Sequence, residues 1–91
     1  MYNISFTNRF RKDLKLCQKR GLNLSLIQAA IGILAEKGSL PSQYRPHLLS
    51  GKYNGQWECH IEPDWLMVWE QNDKELNLLF LYTGSHSDLF K

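Results

Sequence analysis

The sequence predicts an α+β sandwich, with a β-α-α-β-β-β order in which an N-terminal helical hairpin packs on a small, twisted, mostly antiparallel sheet. Three observations lead to this fold class. Phe10, Leu14 and Cys17, then Ile27, Ala30, Ile31 and Leu34, recur at helical spacing in the first half. Three strand-like segments rich in Trp, Leu, Phe and Tyr crowd the stretch from Gln56 to Tyr82. One short alternating segment, Tyr2–Phe6, precedes both helices.

Taken in order, Tyr2–Phe6 separates Tyr, Ile and Phe by smaller polar residues and reads as a strand. Thr7 follows as an N-cap, its hydroxyl suited to the free amides of a first helical turn. The helix it opens carries Phe10, Leu14 and Cys17 on one stripe. Arg11, Lys15 and Lys19 line another, with Arg9, Lys12 and Arg20 nearby, and Gly21 supplies the stop. Leu16 lies off the apolar stripe and is expected to face a partner. Asn23 caps a second helix, which Gly38 ends. So short a link makes the pair an antiparallel hairpin.

Ser39–Gly55 reads as a long connection rich in Pro, Ser, Gly and Tyr, and it holds His47. Connections of this length in a compact domain are often functional. Strands are expected at about Gln56–Ile61, Trp65–Glu70 and Glu75–Tyr82, the last two joined by a turn at Gln71–Lys74. Leu76–Leu81 is apolar on both faces except for Asn77, which suits a central strand covered by helices on at least one side. Thr83–Phe90 leaves the sheet through Gly84 and ends in a turn or short helix.

A chain of 91 residues makes one domain, 1–91. No apolar run approaches the ~20 residues that a membrane span requires. The N-terminus lacks the basic lead and apolar core of a secretory signal, so a cytosolic protein with no membrane partner is expected. Cys17 and Cys59 fit that compartment as two buried thiols rather than a disulfide. The formal charge of +2 hides an uneven distribution. Residues 1–45 carry eight Lys/Arg against Asp13 and Glu36, whereas residues 46–91 carry three against seven acids. The basic half suits a polyanion or an acidic protein partner, and a solvated helix face explains the same charges.

The candidate chemistry lies in His47, in Cys59-His60-Ile61-Glu62-Pro63-Asp64-Trp65 and in Thr83-Gly84-Ser85-His86-Ser87-Asp88-Leu89-Phe90, which together hold all three histidines. Imidazole gives or takes a proton near neutrality. Pro63 breaks the strand after His60, so Asp64 is expected to fold back towards His60 and orient its ring. Trp65 either offers a flat face to a base or packs in the core while Asp64 caps a turn. Phe90 lies four residues beyond His86 and shares its side if a helical turn forms there. A zinc site from His47, Cys59, His60 and His86 is disfavoured, because neighbouring Cys59 and His60 point to opposite faces of a strand. Ser85, His86 and Asp88 lack the nucleophile elbow of a hydrolase triad. Gly51 and Gly55 flank Lys-Tyr-Asn, which is no phosphate loop.

Pro46-His47-Leu48-Leu49-Ser50-Gly51 and the two motifs above resemble, in combination, the YafQ branch of the RelE/ParE toxin superfamily, over the whole chain. The resemblance implies a RelE/ParE-like fold and a type II toxin. Such a toxin is a ribosome-dependent endoribonuclease (an mRNA interferase) that cuts translated mRNA by attack of the RNA 2′-hydroxyl on the adjacent phosphate, with no metal or cofactor. Its implied partners are the ribosome, mRNA, a cognate antitoxin of DinJ or RelB type and, through that antitoxin, operator DNA. Carried onto this chain, His86 becomes the general acid to the departing 5′-oxygen. His60 with Asp64 serves as general base or its support, and His47 aids proton transfer or phosphate binding. Trp65 and Phe90 hold the RNA. Relatives commonly carry Arg where this chain has Trp57 and Tyr82; Arg45 and Lys52 are the cations expected on the RNA instead. Two other readings share the fold. One is a catalytically weak member that binds antitoxin and operator complex, marked by soluble protein that fails to arrest growth. The other is a ParE-like gyrase poison, marked by DNA breaks rather than mRNA loss.

Overall fold

The computed structural model describes residues 1–90. Strand β1 (Asn3–Phe6) is followed by helices α1 (Asn8–Lys19) and α2 (Leu24–Lys37). Strands β2 (His47–Leu48), β3 (Trp57–Glu62), β4 (Trp65–Asn72) and β5 (Asn77–Gly84) come next, then one helical turn, α3 (His86–Leu89). The five strands form one sheet in the order β1-β5-β4-β3-β2. Neighbours are antiparallel except β1, which runs parallel to β5 from Asn3↔Asn77 to Phe6↔Phe80. The expected mostly antiparallel α+β arrangement is therefore present, with β5 inside the sheet.

Local chemistry sets the helix ends as the sequence suggested. The Thr7 hydroxyl accepts the Phe10 amide at 3.0 Å and donates to the Leu81 carbonyl at 2.6 Å, tying the start of α1 to β5. Asn23 accepts the Ser25 amide at 3.0 Å. Gly38 ends α2 at φ 71°, and a Cβ there would stand 2.6 Å from the Tyr2 ring, so both conformation and space require glycine.

Both helices cover one face of the sheet. Phe10, Cys17, Ile27, Ala30 and Leu34 pack there against Cys59, Trp65, Met67, Trp69, Leu78 and Phe80. Burying each large side chain of this cluster stabilises the fold by about 1.5–3 kcal/mol relative to exposure. Cys17 and Cys59 are free buried thiols, and burial pushes the Cys59 thiol up to about 12. Leu16 stays off the stripe and is 43% exposed. Among the described residues, no helix is long and apolar enough to cross a membrane.

Three expectations are corrected. Ser39–Gly55 is no plain loop: it contains two 3₁₀ turns, Ser42–Tyr44 and Gly51–Tyr53, and the edge strand β2, which pairs His47 with Glu58 and Leu48 with Trp57. A two-residue strand is too short to show alternation, and its backbone pairing with β3 is not written in its side chains. The β4–β5 turn sits later than expected because the Asn72 side chain accepts the Glu75 amide at 2.9 Å and Leu76 takes a left-handed φ of 55°. Finally, β5 carries a bulge at Leu81: Trp69 pairs with Phe80 but Val68 with Tyr82. The extra residue reverses the alternation, so Phe80 faces the helices while Tyr82 faces the open side of the sheet.

Candidate active site

The open face is a grid set by register. One row across the strands is His47, Glu58, Val68, Tyr82; the next is His60, Leu66, Gly84. Immediately after Gly84, α3 lifts His86 over the end of the second row, and the His60 and His86 ring centroids lie 6.0 Å apart.

The turn bearing His86 is braced from below. Ser85 and Asp88 form a capping box: the Ser85 hydroxyl accepts the Asp88 amide at 3.2 Å and the Asp88 carboxylate accepts the Ser85 amide at 2.9 Å. Arg20, at the end of α1, donates to both Asp88 oxygens, at 2.6 and 3.2 Å. That guanidinium, with help from the Ser85 amide, holds the Asp88 carboxyl far below its ordinary value. The carboxylate fits because residue 84 is glycine; a Cβ there would meet Asp88 Oδ2 at 2.9 Å. Ser85 and Asp88 are thus structural.

Each imidazole has a different partner. His86 donates from Nδ1 to Asp64 Oδ1 at 3.0 Å, and the same oxygen accepts the His86 backbone amide at 3.2 Å. These two bonds, the side-chain one first, lower the Asp64 carboxyl. Asp64 therefore orients His86 rather than His60, correcting the expected pairing: the turn after Pro63 aims Asp64 along β4 towards the end of β5. His60 Nδ1 faces the Pro63 carbonyl at 3.2 Å. His47 stands between the Arg45 carbonyl, 3.0 Å from Nδ1, and the buried Glu58 carboxylate, 3.2 Å from Nε2. Arg45 adopts a left-handed φ of 50° that turns its carbonyl to this ring.

Trp65 is also corrected. Its ring is 2% exposed, on the helix-covered face, and its indole N–H donates to Thr83 Oγ1 at 2.9 Å. It is core and presents no surface to a base. Phe90 does sit at the cleft, 6.5 Å from the His86 ring and edge-on to Tyr53 at 5.3 Å, with Lys52 Nζ 5.2 Å from the Tyr53 centroid. Arg45 and His60 share a cavity of about 220 Å³ with Gln43 and Glu62. The structure thus gathers His60, Asp64, His86, Phe90 and Lys52, sets His47 one row away and Arg45 beside His60, and removes Trp65. Cys59 is fully buried behind His60 on the other face, and among the described residues no three His, Cys, Asp or Glu side chains are placed to hold a metal ion.

Of the two positions where the resemblance led Arg to be expected, Trp57 stacks on Trp69 at 6.1 Å on the helix side, away from the cleft. Tyr82 belongs to the open face, donating to Gln56 Oε1 at 2.8 Å with the Arg9 guanidinium 4.4 Å above its ring. Sequence reasoning missed Glu58, Tyr53 and the Arg9–Tyr82 pair. Glu58 was detectable, since an acid two residues before His60 on a strand shares its face. The others depend on tertiary approach.

Residues 2–91 match the family described as bacterial toxin of type II toxin-antitoxin system, YafQ. Over 89 residues, 97% of this chain and 95% of the relative, the sequence is 34% identical to mRNA interferase toxin YafQ of Escherichia coli (strain K12). The crystal structure of YafQ from E. coli strain BL21(DE3) superimposes with a TM-score of 0.92 at 30% identity, covering 100% of both chains. YafQ in the E. coli DinJ-YafQ complex gives a TM-score of 0.90 at 32% identity, again over 100% of both. With the family match spanning nearly the whole chain and the fold shared, the chain belongs to the YafQ family of bacterial type II toxin-antitoxin toxins.

Proposed function

We propose that this chain cuts mRNA on translating ribosomes by transesterification, using His60 as base and the Asp64-held His86 as acid. The general activity follows from the family, whose E. coli relative is an mRNA interferase, hence an endoribonuclease. The residue roles rest on one observation: two imidazoles 6.0 Å apart, each with Nδ1 occupied by an oxygen and with Nε2 making no hydrogen bond among the described residues. Hydrogen-bonded at Nδ1 to a carbonyl, His60 carries its lone pair on Nε2 and can take the 2′-hydroxyl proton. The 2′-oxygen then bonds to phosphorus and the P–O5′ bond breaks. His86 delivers a proton to the leaving 5′-oxygen, giving a 2′,3′-cyclic phosphate and a 5′-hydroxyl. Asp64 fixes the ring and tautomer that do this. His47, with both nitrogens committed to protein oxygens, supports Glu58 and the cleft wall. Phe90 and Tyr53 offer edges to a base, with Lys52 beside them on the RNA backbone and Arg45 at the His60 cavity.

The cognate partner is an antitoxin of the DinJ kind, since YafQ is found with DinJ in the E. coli complex; operator DNA is contacted through that antitoxin. Purified chain is added to translating ribosomes carrying a defined mRNA, beside His86→Ala. Wild type is expected to leave fragments with 2′,3′-cyclic phosphate ends, and His86→Ala to cut at least about 10²-fold more slowly. Equal cutting by both removes His86 from the chemistry.

A further inference from the structure

Beyond the histidines, the row that begins at His47 and Glu58 ends at Tyr82, and above Tyr82 lies a guanidinium that neither the motifs nor the family description assigns. Arg9 comes from the first turn of α1, on the opposite layer of the protein. It reaches Tyr82 because β1 ends at Phe6, leaving the last residues of β5 without a neighbouring strand. The Leu81 bulge then turns the Tyr82 ring to the open face, and the Arg9 Cζ lies 4.4 Å from the ring centroid. Its Nε faces Asp13 at 3.6 Å, and Asp13 is itself anchored by the Thr83 amide at 3.1 Å. The ring thus takes one face of the guanidinium and the carboxylate takes Nε, so the paired Nη donors are not needed for either contact.

A cation at this end of the cleft complements Lys52 beside Tyr53 and Arg45 beside His60. The fixed charges of the cleft include the carboxylates Glu58 and Asp64, and Arg20 is already spent on Asp88. A phosphodiester brought to His60 and His86 adds another anion. Planar stacking on an aromatic ring and a forked donor pair are what an arginine uses to hold a phosphate oxygen. We propose that Arg9, laid across Tyr82 and fixed by Asp13, is a phosphate-binding residue of this cleft, contacting the RNA backbone next to the cut bond. This rests on the nuclease reading for its substrate class, but not on the roles of the imidazoles.

The test uses the full chain with His86→Ala, so that RNA stays intact, and a fluorescently labelled short single-stranded RNA oligonucleotide as probe. Arg9→Gln is expected to weaken binding about five- to tenfold and to lower the slope of log affinity against log salt by about 0.7, one phosphate contact on a single strand. Arg9→Lys keeps the charge without the planar fork and should fall between. Arg11→Gln removes an equal charge from an exposed position elsewhere on α1 and should change affinity less than twofold. With His86 intact, Arg9→Gln should slow mRNA cleavage about tenfold. Equal losses for Arg9→Gln and Arg11→Gln, or an unchanged salt slope, overturn the proposal. If wild type fails to cut mRNA yet Arg9-dependent binding persists, the nuclease reading falls and the Arg9 site stands. Normal cutting by Arg9→Gln sinks the Arg9 site alone.

Discussion

His60 and His86 share one ring chemistry, and in the proposed reaction the oxygen each meets at Nδ1 suits them to different tasks. A backbone carbonyl serves His60, whereas a carboxylate serves His86. Asp64 accepts from both the ring and the backbone of His86 and its carboxyl is lowered, so it remains ionised throughout the neutral range. Asp64 therefore contributes no step to the pH dependence of cutting near neutrality. Asp64→Asn keeps the shape and loses the charge that fixes the tautomer. Single-turnover cleavage is expected to fall about 10²-fold. The melting temperature should change little, because Asp64 is exposed and lies outside the buried core. Full activity in this variant would mean that the ring is oriented by something else.

One turn of helix is too short to hold its own geometry, and α3 depends on the Arg20–Asp88 contact with α1. Both partners are partly exposed, so Arg20→Ala should lower stability only modestly, while loosening the segment that aims His86. The sign with pH follows from Asp88. Its folded-state carboxyl is depressed, so the pair contributes fully above the ordinary carboxylate range and loses its contribution as pH falls through and below that range. Urea titrations should show a gap between wild type and Arg20→Ala at pH 7 that narrows towards pH 3. A gap that widens in acid would contradict the assignment.

Across the molecule, the parallel β1–β5 ladder joins the first strand to the last, and Phe6 stacks on Phe10 at 5.4 Å and lies 5.6 Å from Phe80. The contacts to β5 bridge more than seventy positions of sequence, which makes the sheet and both helices one cooperative unit. Removing residues 1–6 uncovers Phe80 and one side of β5. The truncated chain is expected to lose its single sharp urea transition, with near-ultraviolet circular dichroism collapsing towards that of unpacked aromatics. A truncated chain with the wild-type midpoint would show that β1 is peripheral.

The helix limits were legible in the sequence through Thr7, Asn23 and Gly38, the buried stripes through their spacing, and the proximity of His60 and His86 through the motifs around them. Each of these signals is local, acting over one turn or one strand. Only the tertiary structure decided that Asp64 serves His86, that Trp65 is core, that His47 lies on an edge strand against Glu58, and that Arg9 crosses to Tyr82. Each of those depends on strand register, and a single bulged residue such as Leu81 changes which face a side chain occupies without leaving a mark on composition or periodicity.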